Sequence, residues 1–187
     1  ITEEQMVEVG PVPLQNRVTP EGEIVATPHR GLLMGNRGGA FHLPDKTLGQ
    51  RRWATKQWIA CVLEFKGRHR EIMQPNRYTE LFFLDEATAL AAGHRPCAEC
   101  RRADYRRFKA AWLKGNPTLG CDREPPITSI DRVMHRDRLR PDGTQHVFVA
   151  ALDELADGVF VIRPDHPTPH LVWGGALWAW SLTGYAE

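Results

Sequence analysis

The feature that most constrains this chain is the pair Cys97 and Cys100 in "ALAAGHRPCAECRR", Ala89 to Arg102. Two thiols spaced in this way, where a loop enters a helix, offer two thiolates to a tetrahedral zinc. The positive end of the following helix favours their negative charge. An ion held there fixes the loop and draws the elements that supply its other ligands toward it. A redox pair is the rival chemistry, but such pairs usually follow the strand of a βαβ unit, and no such unit is visible. Inert, packed thiols are the third reading. The chain has four cysteines and no visible secretory signal, which argues against a disulfide framework and for metal or thiol chemistry. The longest apolar run, "LVWGGALWAW" from Leu171 to Trp180, is too short to span a bilayer. A cytoplasmic location is therefore the expectation.

Around this pair the pattern predicts an α+β fold, with antiparallel strands and a few helices. Strands are expected at Glu23–Thr27, in "QWIACVLEF", in "HREIM" as its hairpin partner, and in "ELFFL". Asp85 is a fair N-cap for the helix "EATALAAG", and Gly93 a good terminator. "RRADYRRFKAAWLKG" reads as a helix with Tyr105, Phe108 and Trp112 on one stripe, expected to face the core. "ITSIDRVMHRDRL" predicts another, with Ile127, Ile130 and Met134 in line. "GLLMGNRGGAFHLPDKTLGQRR" is rich in glycine and reads as loop, a tight turn more than an anion cradle. The last fifty or so residues predict strands in "HVFVA", "GVFVI" and "HLVWG", with "GGALWAW" as a separator. A single domain over 1–187 is expected, with a zinc-binding unit at 51–115 and a helix plus a β-rich part at 127–187.

The stretch "FFLDEATALAAGHRPCAECRR" resembles the metal-binding domain of Ada-type methylated-DNA repair proteins. The resemblance runs without gaps from Phe82 to Cys100: a strand, a short Ala-rich helix, then Ala-Gly, a ring residue, and Arg-Pro-Cys-x-x-Cys. It implies a zinc held by four thiolates, two from Cys97 and Cys100. The other two come from an upstream Cys-x-x-x-Cys, whose positions fall near Lys66 and Arg70 here. Neither is a cysteine, so the family's methyl-accepting residue has no counterpart in register. The nearest candidates for the missing ligands are Cys61 and His69, with His94 and His135 in reserve. If Trp58 to Met73 formed a regular hairpin, Cys61 and His69 would lie on opposite faces or roughly 13 Å apart, so both can bind one ion only if the hairpin is irregular. Cys121 reads as a free thiol.

A second signature overlaps the first. His69-x-Glu71 followed by Pro96-Cys97-x-x-Cys100 is similar to the pattern of zinc nucleoside deaminases. It implies His69, Cys97 and Cys100 as ligands and Glu71 as the proton shuttle of a hydrolase acting on a base or nucleoside. The context disagrees: those enzymes carry a helix directly after His-x-Glu, whereas Pro75 follows here.

Charge suggests a partner. From Arg51 to Arg140 there are 19 Lys/Arg against 11 Asp/Glu, while the two flanks together hold 5 against 12. Arginine grips phosphate bidentately, so Arg101, Arg102, Arg106 and Arg107 are candidate phosphate-binding residues for DNA or RNA. The plainer alternative is internal pairing with the acidic flanks. Asp131 and His135 stand one helical turn apart with Arg138 on the same side, which suggests either a histidine held by a carboxylate or a surface network.

Overall fold

The structure is a computed structural model that describes residues 12–69, 71–117 and 124–187. It is α+β, with two sheets and three α-helices among the described residues. The first sheet is built from β1 (Gln15–Val18), β2 (Ile24–Ala26), β3 (Leu33–Asn36), β4 (Ile59–Val62), β5 (Leu81–Phe83) and β6 (Arg95–Pro96). Their order across the sheet is β2-β1-β5-β3-β4-β6. Two pairs in it, β1 with β5 and β4 with β6, are parallel, so beside its antiparallel pairs the sheet is mixed. The second sheet is antiparallel and runs β10-β9-β8-β7, from β7 (Phe160–Arg163), β8 (His166–Trp173), β9 (Ala176–Ser181) and β10 (Gly184–Ala186).

Between β5 and β6 lies α1 (Glu86–Ala91), which starts and stops where its sequence says. The Asp85 carboxylate accepts the Thr88 N–H at 2.8 Å. At the other end Gly93 adopts φ +84°. Its N–H reaches the Leu90 carbonyl at 2.9 Å, and the His94 N–H reaches the Ala89 carbonyl at 2.9 Å, a Schellman closure that a left-handed glycine makes easy. After β6 come α2 (Arg102–Gly115) and α3 (Ile127–Arg138).

The core of the first sheet gathers Val18, Ile24, Phe41, Ala60, Leu81 and Phe83 against Ala89 and Ala92. The second sheet is tied to it through α1. The Trp180 indole N–H donates to Thr88 Oγ1 at 3.1 Å, and the Tyr185 hydroxyl donates to Asp85 Oδ2 at 2.6 Å.

Four local expectations fail. "LMGN" is strand β3, not loop, because Gly35 lets the chain lie against its neighbours: a Cβ there would stand 2.2 Å from the Ile59 carbonyl oxygen and 2.8 Å from the Phe83 ring. The described residues of "HREIM" form no strand, since both edges of β4 are taken by β3 and β6. "HVFVA" is not a strand, with Phe148 83% exposed, while "ALWAWS" in the supposed separator is β9. The Tyr105–Phe108–Trp112 stripe is half-buried, and α2 has no fully buried residue among those described. No helix among the described residues is long and apolar enough to cross a membrane.

Candidate metal centre

Cys61 belongs to β4. Side chains alternate along a strand, so the buried Trp58 and Ala60 face the core while Ile59 and Cys61 face away from it. The short parallel pairing of β4 with β6 brings the next residue of the chain alongside: the Cys97 N–H donates to the Ala60 carbonyl at 2.9 Å. The turn that follows carries Cys100 back over the same spot. Cys61, Cys97 and Cys100 are all half-buried, and their three sulfur atoms lie within 4.8 Å of one another.

That grouping suits a soft divalent ion. With Zn–S bonds of about 2.3 Å, tetrahedral thiolates stand about 3.8 Å apart, close to the observed spread. Charge reinforces the fit. Cys97 is drawn down to about 5, chiefly by a hydrogen bond from the Cys61 thiol and also by the backbone N–H groups of Cys100 and Glu99. The Glu99 N–H reaches Cys97 Sγ at 3.4 Å. The Cys61 thiol is pushed up by that same bond to Cys97 and by burial, and Cys100 is raised chiefly by burial. One thiolate is therefore ready, and a cation that compensates their mutual repulsion would deprotonate the other two.

No histidine or carboxylate joins the three sulfurs at that distance among the described residues. His69 is exposed and outside the group. Of the two upstream candidates, it is Cys61 that meets Cys97 and Cys100. The hairpin that the sequence suggested is absent, so its geometry sets no limit. Glu71 is an exposed surface residue, bonded to Lys46 Nζ at 2.6 Å and to Gln74 at 3.1 Å. The Lys46 bond holds its carboxyl below the ordinary range. The deaminase constellation of His69 and Glu71 beside Cys97 and Cys100 is not assembled here. His94 is buried beneath the first sheet, far from any role among the thiols. Cys121 lies outside the described residues.

The arginines divide. Arg101 is buried and bonds Asp104 at 2.9 Å and Glu86, so its guanidinium is committed inside the fold, to carboxylates of the central region and not of the acidic flanks. Arg107 is exposed and bonds Asp104 at 2.6 Å. Arg102 and Arg106 are exposed on the first two turns of α2, directly after the thiols.

The sequence offered Arg37, with Arg30, only as the charge of a possible anion cradle in the glycine-rich stretch from His29 to Gly39, and not as the buried residue it is, at 2% exposure; it also misjudged the Asp131–His135–Arg138 row. Asp131 is buried and grips Arg95 through two bonds of 2.6 and 2.8 Å. His135 instead packs edge-on against Trp53 and Trp58. The one hint of this was the density of Trp, His and Arg in the three segments concerned. Comparison with known proteins returns no matching family model, no matching curated protein and no matching solved structure.

Proposed function

We propose that this is a zinc protein in which the thiolates of Cys61, Cys97 and Cys100 hold one ion. In this reading the ion clamps β4 to the head of α2 and so presents Arg102 and Arg106 to the phosphates of DNA or RNA. The observation that carries it is the convergence of three sulfurs from β4 and the β6–α2 turn within 4.8 Å. The exposure of Arg102 and Arg106 beside them supports the second half, as does the basic excess between Arg51 and Arg140. The partial likeness to the Ada-type metal domain points the same way. The ion's part is structural: it neutralises three clustered thiolates and fixes the loop from which α2 starts.

Elemental analysis of protein purified without added metal tests the first half, since tight thiolate sites survive purification. About one zinc per chain is expected, falling to near zero in Cys61→Ser and Cys97→Ser. Full occupancy in Cys61→Ser would remove β4 from the site. Fluorescence anisotropy with short DNA and RNA tests the second half. Affinity should fall steeply with salt, and the Arg102→Ala/Arg106→Ala pair should lower the log–log slope by about two units. An unchanged slope would dismiss this face.

A further inference from the structure

On the opposite face of β4 from the thiols, a cluster of cations is assembled around Trp58 with too little negative charge among the described residues to balance it. Arg37 is 2% exposed. It donates only to neutral acceptors: His94 Nε2 at 3.3 Å, the Arg52 carbonyl at 3.3 Å and the Gly22 carbonyl at 2.8 Å. Its guanidinium carbon lies 4.0 Å from the Trp58 ring centroid, and that of Arg138 lies 4.3 Å from it. In Arg138, Nε and Nη1 are sealed from water with no hydrogen-bond partner among the described residues, and so is Nδ1 of His135. Arg52 and Lys56 add further positive charge around Arg37 and His135. The carboxylate that acts on Arg138 is Asp131, and both its oxygens are occupied by Arg95.

Stacking on indole repays part of the cost of such burial. It does not satisfy guanidinium N–H groups, and unpaired buried donors in a native fold call for a partner. The strain is visible in the acidities: burial and repulsion from Arg138 and Arg52 bring Arg37 down to about 9, and burial together with Arg95 brings Arg138 to about 10. The cluster is not buried throughout. Arg37, Trp58 and His94 form a buried floor, whereas Trp53, His135 and Arg138 are only half-buried and border the surface. Gly93 packs directly against the guanidinium, since a Cβ there would stand 2.9 Å from Arg138 Nε.

We propose that the half-buried surface formed by Arg138, His135 and Trp53, over Arg37 and Trp58, is a binding site for a phosphate group. The forked donors of Arg138 and the ring N–H of His135 would turn outward to engage its oxygens, and Arg37 would supply charge from below. A dianion matches the excess of two unpaired guanidiniums better than a carboxylate does. The site stands apart from the metal reading, because it uses neither the thiols nor Arg102 and Arg106. The phosphate has two possible sources, a free or small-molecule phosphate and the end of a nucleic-acid strand.

The experiment is calorimetric titration of inorganic phosphate into the full metal-loaded chain at fixed ionic strength, with acetate and chloride as controls, paired with melting curves. Saturable one-to-one binding is expected. At about 100 times its dissociation constant, phosphate should raise the melting temperature by roughly 5–10 °C. Arg138→Gln should weaken phosphate at least about tenfold. Should that variant fail to fold, Arg52→Gln and Lys56→Gln at the rim should each weaken it about twofold or more. Arg102→Ala/Arg106→Ala should leave it unchanged. Displacement of phosphate by a 5′-phosphorylated oligonucleotide, but not by its unphosphorylated twin, would support the site and name a strand end as the source; no displacement by either would support a small phosphate. Phosphate no better than chloride, or equal affinity in folded Arg138→Gln or in both rim variants, would overturn the proposal.

Discussion

A guanidinium and a carboxylate closed off from water join α3 to β6: Arg95 and Asp131 are 3% and 1% exposed and bonded twice. Removing one partner of such a pair strands the other, so Asp131→Asn should cost about 3–5 kcal/mol in urea denaturation. His94 makes a second prediction at this scale. Burial, with Arg37 and Arg138 nearby, holds its pKa well below 6.5, so the folded state keeps the ring neutral while the unfolded chain takes up a proton as pH falls below about 6.5. Stability is then whole above that pH and declines below it by up to about 1.4 kcal/mol per unit until the folded ring also titrates. His94→Gln should flatten that acid limb in melts taken from pH 7 to pH 5. Of these residues the sequence disclosed Cys97 and Cys100 most openly, because their spacing is itself the signal. Cys61 was visible only as a candidate, since its place depends on a register between strands that no local pattern encodes. Asp131 and His135 were seen as neighbours, but Arg95, the true partner, lies far along the chain.

Among the elements, helices were legible and glycine-bearing strands were not. α1 declares its ends through Asp85 and Gly93, and both do the expected work. Gly93→Ala should therefore cost about 1–2 kcal/mol for the left-handed backbone alone, and more as Arg138 is pushed aside, readable as a lowered midpoint in chemical denaturation. β3 was hidden because Gly35 signals a turn, yet here it answers to the closeness of Ile59 and Phe83. β9 was hidden behind two glycines that form the β8–β9 turn instead, Gly174 at φ +60° and Gly175 at φ +77°. "HVFVA" misled in the other direction: β propensity alone does not make a strand where the segment joins neither sheet. Phe148→Ser should consequently change stability by no more than about 0.5 kcal/mol, whereas Phe83, fully buried, should cost about 3–5 kcal/mol when cut to alanine.

For the molecule as a whole, the two sheets communicate through a helix of six residues. One side of α1 is held by the first sheet's core, and its first turn carries the bonds from Trp180 and Tyr185. Trp180→Phe leaves the shape nearly intact and removes one bond to a buried hydroxyl, so a loss of about 1–2 kcal/mol is expected in thermal or chemical melts. The α+β class was readable at this scale from the alternation of short strands with a few helices. The parallel pairings were not, since β1 must wait for β5 and β4 for β6 across long intervening stretches.

That order of pairing matters while the chain is being made. Synthesis delivers β1 to β4 first, but β5 is the strand that joins β1 to β3, and β6 alone covers the outer edge of β4. Until both emerge, the early strands have open edges and Cys61 is a solitary thiol. Such distant pairings close slowly. The two remaining thiols arrive immediately behind β6, so the step that completes the sheet also brings together the ligand set. A metal held by these three thiols would thereby be captured late, sealing a sheet already drawn together and unable to template it from the start.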